Sequence, residues 1–247
     1  MGRQAQGEAS HRRAERSVTD LAGFNCEAVR DGLDGRGFHI IPGLIAPDAC
    51  ESLSAGYESD QYRSTIVMAR HGFGRGEYKY YRYPLPPLIA ELRPMLYERL
   101  VPIANGWQEA LGSPIRYPDR HEDFLARCRA TGQTRPTPLI LRYGPGDYNC
   151  LHQDVYGGSL FPLQVAVLLS DPAQFSGGEF ILTEQRPRRQ SLARVVPLGQ
   201  GDAVIFPVRD RPVRGSRGYY RAQHRHGVSE IRSGSRHTLG IIFHDAA

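Results

Sequence analysis

His152 and Asp154 close the run Leu141-Arg-Tyr-Gly-Pro-Gly-Asp-Tyr-Asn-Cys-Leu-His-Gln-Asp154. The run reads as a strand, a Gly-Pro-Gly-Asp turn and a second strand. Side chains alternate along a strand, so an imidazole and a carboxylate one residue apart point to the same face. A second histidine from a distant strand would complete a 2-His-1-carboxylate set, the pattern that holds non-haem Fe(II) and leaves coordination positions open. Alone, a His-x-Asp tripeptide is a weak signal, and the downstream sequence decides its weight.

Four histidines lie downstream, at His224, His226, His237 and His244. His226 shares a strand face with Val228 and Glu230, and Arg236 lies ten residues after it, opening the strand beyond the Ser233-Gly234 turn. A guanidinium in that position can receive the carboxylate of a cosubstrate through charge-assisted hydrogen bonds. His226 is therefore the expected third ligand. His224 has the same parity and is the alternative, either as a ligand or as a group beside the site.

The elements that must position these groups change in character along the chain. Residues 1–16 are polar, basic and without hydrophobic period, and read as a disordered tail. Ser17-Val-Thr-Asp20 reads as a capping box opening a helix through Leu21, Phe24, Ala28 and Leu33, which Gly35-Arg-Gly37 ends. Phe38–Ile41 reads as a short strand, and Pro47 starts another helix. From Pro86 to Leu111 apolar residues recur at spacings of three and four, though Pro94 and Pro102 should break or kink that helix. A further helix is expected from about Pro118, using Phe124, Leu125 and Cys128. After Pro136 the pattern turns to strands at 138–143, 149–155, 161–169, 178–183, 193–198, 202–206, 222–231 and 237–244. Eight short strands with Gly-rich turns indicate a sandwich or jelly roll, mainly β with flanking helices.

Residues 62–83 stand apart. Arg63, Arg70, His71, Arg75, Lys79 and Arg82 are interleaved with Tyr62, Phe73, Tyr78, Tyr80, Tyr81 and Tyr83. The internal Gly72-Phe-Gly74-Arg-Gly76 lacks the preceding hydrophobic strand and following helix of a dinucleotide-binding loop. This segment, with Arg186–Arg189 and Arg209–Arg221, could form a basic-aromatic rim around the barrel mouth. The chain divides into the tail, a helical support region over 17–136 that contains this segment, and a β core over 137–247. The last two form one integrated domain.

Hydrophobic residues at 40% and charged residues at 23% fit a folded globular chain rather than a disordered one. No apolar run reaches membrane-spanning length, and no apolar stretch follows Arg12-Arg13, so a cytoplasmic protein without a membrane partner is expected. Cys26, Cys50, Cys128 and Cys150 have no paired short spacing, which argues against zinc and a disulfide framework. The net charge of +5 rests on arginine, Lys79 being the single lysine. Arginine excess fits phosphate or carboxylate recognition and base composition equally.

Two motifs carry a resemblance. His226-Gly-Val228 through Gly234-Ser-Arg236 resembles the distal motif of prolyl-hydroxylase-type 2-oxoglutarate/Fe(II) dioxygenases. Arg142-Tyr143-Gly-Pro145-Gly146 with Leu151-His152-Gln153-Asp154 is similar to the AlkB-type alkylation-repair dioxygenases. Residues 65–245 as a whole resemble a bacterial 2-oxoglutarate/Fe(II) oxygenase family described as acting on damaged DNA. The matching blocks are Arg70–Tyr83, Gly146–Asp154, Gly177–Arg188 and Arg225–Asp245. The resemblance implies a double-stranded β-helix core and an Fe(II) held by His152, Asp154 and His226. It also implies 2-oxoglutarate as cosubstrate with O2, and ascorbate as activator. Arg236 would take the distal carboxylate of 2-oxoglutarate, with Tyr143 and Thr238 assisting. One departure is that Arg232 and Arg236 are closer together than the paired arginines of AlkB-type enzymes.

Three functions compete on these grounds. The first is oxidation of an alkylated nucleobase in damaged DNA or RNA, for which aromatic and arginine side chains supply stacking and phosphate pairing. The second keeps the chemistry but takes a small-molecule metabolite or a protein side chain. The third is a non-catalytic sensor of 2-oxoglutarate or nucleic acid.

Overall fold

Asn25 opens the first helix of the computed structural model, which describes residues 24–247. Its side chain accepts from the backbone N–H groups of Glu27 and Ala28, satisfying two donors that a helix start leaves free. The expectations for the tail and for the capping box at Ser17–Asp20 lie outside the described residues. Helix α1 (Cys26–Arg36) ends at Gly37 in the left-handed region, φ 82°. A Cβ on Gly37 would lie 2.5 Å from the His224 ring, so glycine there also permits close packing on the β core.

The chain continues through β1 (His39–Ile41), α2 (Pro47–Ala55), β2 (Tyr62–Val67), β3 (Gly74–Arg75), β4 (Glu77–Tyr81), α3 (Pro87–Ala110) and α4 (His121–Ala130). Strands then dominate: β5 (Leu139–Tyr143), β6 (Tyr148–His152), β7 (Leu163–Leu168), β8 (Phe175–Gly177), β9 (Phe180–Gln185) and β10 (Leu192–Val196). They end with β11 (Ala203–Pro207), β12 (Asp210–Gly215), β13 (Gly218–Val228), β14 (Ile231–Gly234) and β15 (Arg236–Ile241). No described helix is long and apolar enough to cross a membrane.

Two antiparallel sheets face each other. The larger runs β1-β11-β7-β15-β5-β4-β2, and the smaller runs β10-β9-β13-β6-β3 with β12 added alongside β13. Ala166, Val204 and Phe206 of the larger sheet pack on Phe180, Leu182 and Val196 of the smaller. The fold is a double-stranded β-helix, a jelly roll with flanking helices. Strand β7 is buried along its whole length because both faces are covered. Leu163, Val165 and Val167 face the helical layer, while Gln164 and Ala166 face the barrel interior.

Helix α3 departs from expectation by running through Pro94 and Pro102 without a break. The two prolines lie toward solvent, Pro102 exposed and Pro94 half-buried, and the carbonyls they leave unpaired belong to exposed Ala90 and Glu98. Water can satisfy those groups, while Leu92, Leu96, Leu100, Ile103 and Trp107 bury the opposite stripe. Arg93 anchors the helix to the C-terminal segment beyond β15. Its guanidinium donates to the carbonyls of Ile242 and His244 and pairs with Asp245 at 2.8 Å.

The 62–83 segment is not a helical element: β2 and β4 pair with each other, and β4 extends the larger sheet beside β5. Three of its six basic residues are engaged. Lys79 binds Glu58 and lies over the Tyr57 ring, Arg63 covers the Tyr80 ring, and Arg82 pairs with Asp60.

Candidate metal centre

Pairing of β6 with β13 sets His152 opposite His226 in register, and a bulge separates His226 from Val228. Asp154 lies just past the end of β6. The ligand atoms of His152, Asp154 and His226 all lie within 4.8 Å of one another. His226 Nε2 is 3.3 Å from Asp154 Oδ2, and His152 Nε2 is 3.5 Å from Asp154 Oδ1. His152 Nδ1 lies 2.8 Å from the carbonyl of Cys150; donation there leaves the Nε2 lone pair facing the cluster. Two imidazole nitrogens and one carboxylate oxygen fit a divalent first-row metal such as Fe(II).

The electrostatics favour a cation at this point. Burial works against charge on Asp154, but hydrogen bonds and charge from His152 and His226 hold its carboxyl well below the usual range. Burial also opposes protonation of His152, and the hydrogen bond and charge of Asp154 outweigh it, raising its pKa. His226 is lowered by burial and by its neighbour His152. A divalent ion would displace the proton held at His152 and answer the Asp154 charge directly.

The other three downstream histidines lie elsewhere. His224 is buried against Arg211 and Glu184, accepting from Arg211 Nε at 3.2 Å. His237 packs edge-on against Tyr57, and His244 accepts from the Phe161 backbone.

The His152–Asp154–His226 cluster opens into a cavity of about 180 Å³ between the sheets, with Tyr143, Asn149, Gln164 and Thr238 in its walls. Tyr143 and Arg236 are register partners on β5 and β15, the guanidinium carbon 5.7 Å from the ring centroid. Arg236 donates to Thr238 Oγ1 at 2.5 Å, and its Nε has no partner. The arginine itself lines an adjoining cleft with Glu179, and Phe180 is a wall common to both spaces. Gly178 makes room for it: a Cβ there would lie 2.8 Å from Arg236 Cδ. Three arginines are buried among the described residues. Arg93 and Arg211 pair with Asp245 and Glu184, while Arg236, 1% exposed, has no carboxylate of the described residues in ion-pair range. Burial lowers it to about 10, so it remains a cation at neutral pH.

Some expectations for the surroundings do not hold. Arg186, Arg188 and Arg221 do converge, but in a cleft toward the opposite end of β13 that shares no wall residue with the metal cavity. Of the basic-aromatic segment, Phe73 and Tyr78 reach the cavity. Phe73, 45% exposed, stacks on His71 with ring centroids 5.4 Å apart. Sequence reasoning missed Tyr156, whose hydroxyl donates to Asp154 Oδ1 at 2.8 Å, and Gln153, which donates to the carbonyl of His224 at 2.7 Å. The signal for Tyr156 was present: it follows His152 and Asp154 at the same two-residue spacing.

The model of the Oxygenase-NA family, described as an oxygenase catalysing oxidative methylation of damaged DNA, matches residues 76–246. An uncharacterized protein of Mycobacterium tuberculosis, found in two strains, is 53% identical over 165 residues, which are 66% of this chain and 71% of that protein. Among solved structures, a prolyl-4-hydroxylase of Pseudomonas putida matches with a TM-score of 0.54 at 13% identity, over 90% of this chain and 100% of that one. An oxidoreductase of the 2OG-Fe(II) oxygenase family from Burkholderia pseudomallei matches with a TM-score of 0.51 at 15% identity, over 90% and 93%. At these identities the structural likeness is one of fold.

Proposed function

Since this chain belongs to the Oxygenase-NA family and is a 2-oxoglutarate/Fe(II)-type oxygenase, we propose that it oxidises a C–H bond of an alkylated nucleobase in DNA. His152, Asp154 and His226 are the proposed Fe(II) ligands, and 2-oxoglutarate is the proposed cosubstrate. The observation that carries the chemistry is the pairing of that ligand cluster with Arg236, a buried cation lacking an anion of its own. An uncompensated buried charge is costly, and a dicarboxylate with one end at the metal and the other at Arg236 would answer both charges.

When bound, Fe(II) supplies dioxygen activation coupled to oxidative decarboxylation of 2-oxoglutarate, giving succinate, carbon dioxide and an oxidised substrate. The protein's part is positional. Arg236 and Thr238 hold the distal carboxylate, and Tyr143 offers a phenol donor on the same side. Burial pushes that phenol up to about 12, so it stays protonated. Phe180, Phe206 and Val228 line the space around the metal and limit its water. Phe73 presents an exposed flat ring at the cavity wall, on which a base can stack.

The test is succinate formation from 2-oxoglutarate with Fe(II) and ascorbate, comparing wild type with Asp154→Ala, with and without methylated single-stranded DNA. Asp154-dependent turnover stimulated by the DNA supports the reading. Asp154-dependent turnover indifferent to DNA shifts the substrate to a small metabolite or a protein side chain. The separation of the arginine cleft from the metal cavity favours that second reading. Ligand binding without succinate would mark a sensor.

A further inference from the structure

Tyr156 follows His152 and Asp154 at the same two-residue spacing, in the irregular run after β6 where the Val155 N–H bonds back to the Gln153 carbonyl. Tyr156 lines the metal cavity and packs with Tyr80, Leu139 and Ile242, so its ring is held from behind by β4, β5 and the chain after β15. Its hydroxyl donates to Asp154 Oδ1 at 2.8 Å. The other carboxylate oxygen, Oδ2, has His226 Nε2 at 3.3 Å and no protein hydroxyl or amide. Each oxygen of the carboxylate thus faces one ligand histidine, Oδ1 having His152 Nε2 at 3.5 Å, and among the described residues Oδ1 alone is also held by a hydroxyl.

We propose that Tyr156 is a positioning residue for the metal centre, binding Asp154 Oδ1 so that the carboxylate offers the metal a single oxygen. This role rests on the metal-centre reading and deepens it. A carboxylate can bind through one oxygen or chelate through both. With two histidines and one carboxylate oxygen, a six-coordinate ion keeps three open positions. A cosubstrate that chelates would need two of them and dioxygen the third. Chelation by Asp154 would remove that third position. A donor on Oδ1 opposes chelation by occupying the lone pairs the second contact would use, and it fixes the plane of the carboxylate. Tyr156 also links the metal to β4, the strand of the basic-aromatic segment, through its packing on Tyr80.

Co(II) titration of the metal-free full-length protein tests this without reference to turnover, because the cobalt absorption bands report coordination number. Tyr156→Phe keeps the ring and deletes the hydroxyl. Its Co(II) affinity is expected to fall about 10- to 100-fold, with changed band intensity as Asp154 becomes free to chelate. Tyr148→Phe removes an exposed hydroxyl from β6, the strand of His152, but none from Asp154 or Tyr156, and is expected to keep wild-type affinity and bands. Thermal unfolding with and without Co(II) covers loss of fold. The metal-induced rise in melting temperature should shrink in Tyr156→Phe, whatever its metal-free value. Wild-type affinity and unchanged bands in Tyr156→Phe would overturn the role of Tyr156 alone. Failure of the wild type itself to bind Co(II) would overturn the metal centre, and this role with it.

Discussion

His152 and His226 face each other across β6 and β13 as register partners, their ring centroids 4.2 Å apart. The pairing joins two residues 74 positions apart in sequence, and the bulge after His226 restores the ladder with Val228 opposite Asn149. The register therefore determines which histidine on β13 meets Asp154. A two-residue slip would bring His224 forward, but His224 is tied to Glu184 and Arg211 from two other strands.

Removing either register partner or the carboxylate should abolish metal binding. His152→Ala, Asp154→Ala and His226→Ala are each expected to lose stoichiometric Fe(II) or Co(II) and all succinate formation. His224→Ala should retain the metal and lose stability instead, since it leaves the buried Arg211–Glu184 pair short of a partner. Metal content measured after dialysis separates the two classes. A metal-free His224→Ala would refute the assignment of ligands.

Arg236 has opposite effects on activity and stability. If it receives the distal carboxylate, Arg236→Met loses charge-assisted hydrogen bonds worth about 1.5–3 kcal/mol. That corresponds to a rise of roughly ten- to a hundredfold in the KM for 2-oxoglutarate. The same substitution removes a buried cation without an internal anion, so the metal-free protein should melt at a higher temperature than wild type. Unchanged KM, or a lower melting temperature, would contradict the reading of Arg236 as a ligand-binding cation.

The strands of the β core were legible because β5, β7, β9 and β11 carry apolar runs between Gly-rich turns. Parity left His224 and His226 equal, and the ten-residue spacing to Arg236 then favoured His226. Strand β12 was hidden by Pro212, which is tolerated because β12 is an edge strand paired only with β13. Strands β2 and β4 were hidden differently. Their exposed positions are covered by long side chains such as Arg63 over Tyr80 and Lys79 over Tyr57, so the sequence shows neither an apolar run nor a clean alternation. The arginines of 186–221 could be counted in the sequence, but their distance from the metal ligands depends on how far β13 runs before it reaches His226, which residue type does not encode.

Breaking the Arg93–Asp245 pair should unfold the chain more readily than any change on the surface. Both side chains are buried, and Arg93 also holds the backbone of Ile242 and His244. Asp245→Ala leaves a buried guanidinium without its anion, a loss of about 3–5 kcal/mol. Arg82→Ala, which breaks an exposed pair with Asp60, should cost no more than about 1 kcal/mol. Urea unfolding of the two variants checks the contrast, and comparable losses would show that the buried pair is not what holds α3 to the C-terminal segment.

Buried His121 and His244 and half-buried His237 lead the change of stability with pH. Burial lowers His121 to about 3 and both His237 and His244 to about 4. In the unfolded chain each titrates near about 6.5. Between about pH 6.5 and 4 the unfolded state binds protons that the folded state refuses, so stability is full above that window and falls as the pH drops through it. A fully buried neutral histidine costs up to about 1.4 kcal/mol per pH unit, and the less buried His237 costs less. His39, His224 and His226 are lowered as well, and His152, raised in the folded chain, works the other way as one group against six. The lowered carboxylates Asp154 and Glu184 lose their contribution only as pH falls below the ordinary carboxylate range. The melting temperature of chelator-treated protein should therefore decline steadily from about pH 7 to about pH 4.5. His121→Gln should flatten that decline; a flat or rising profile in the wild type would show that these rings accept protons while folded.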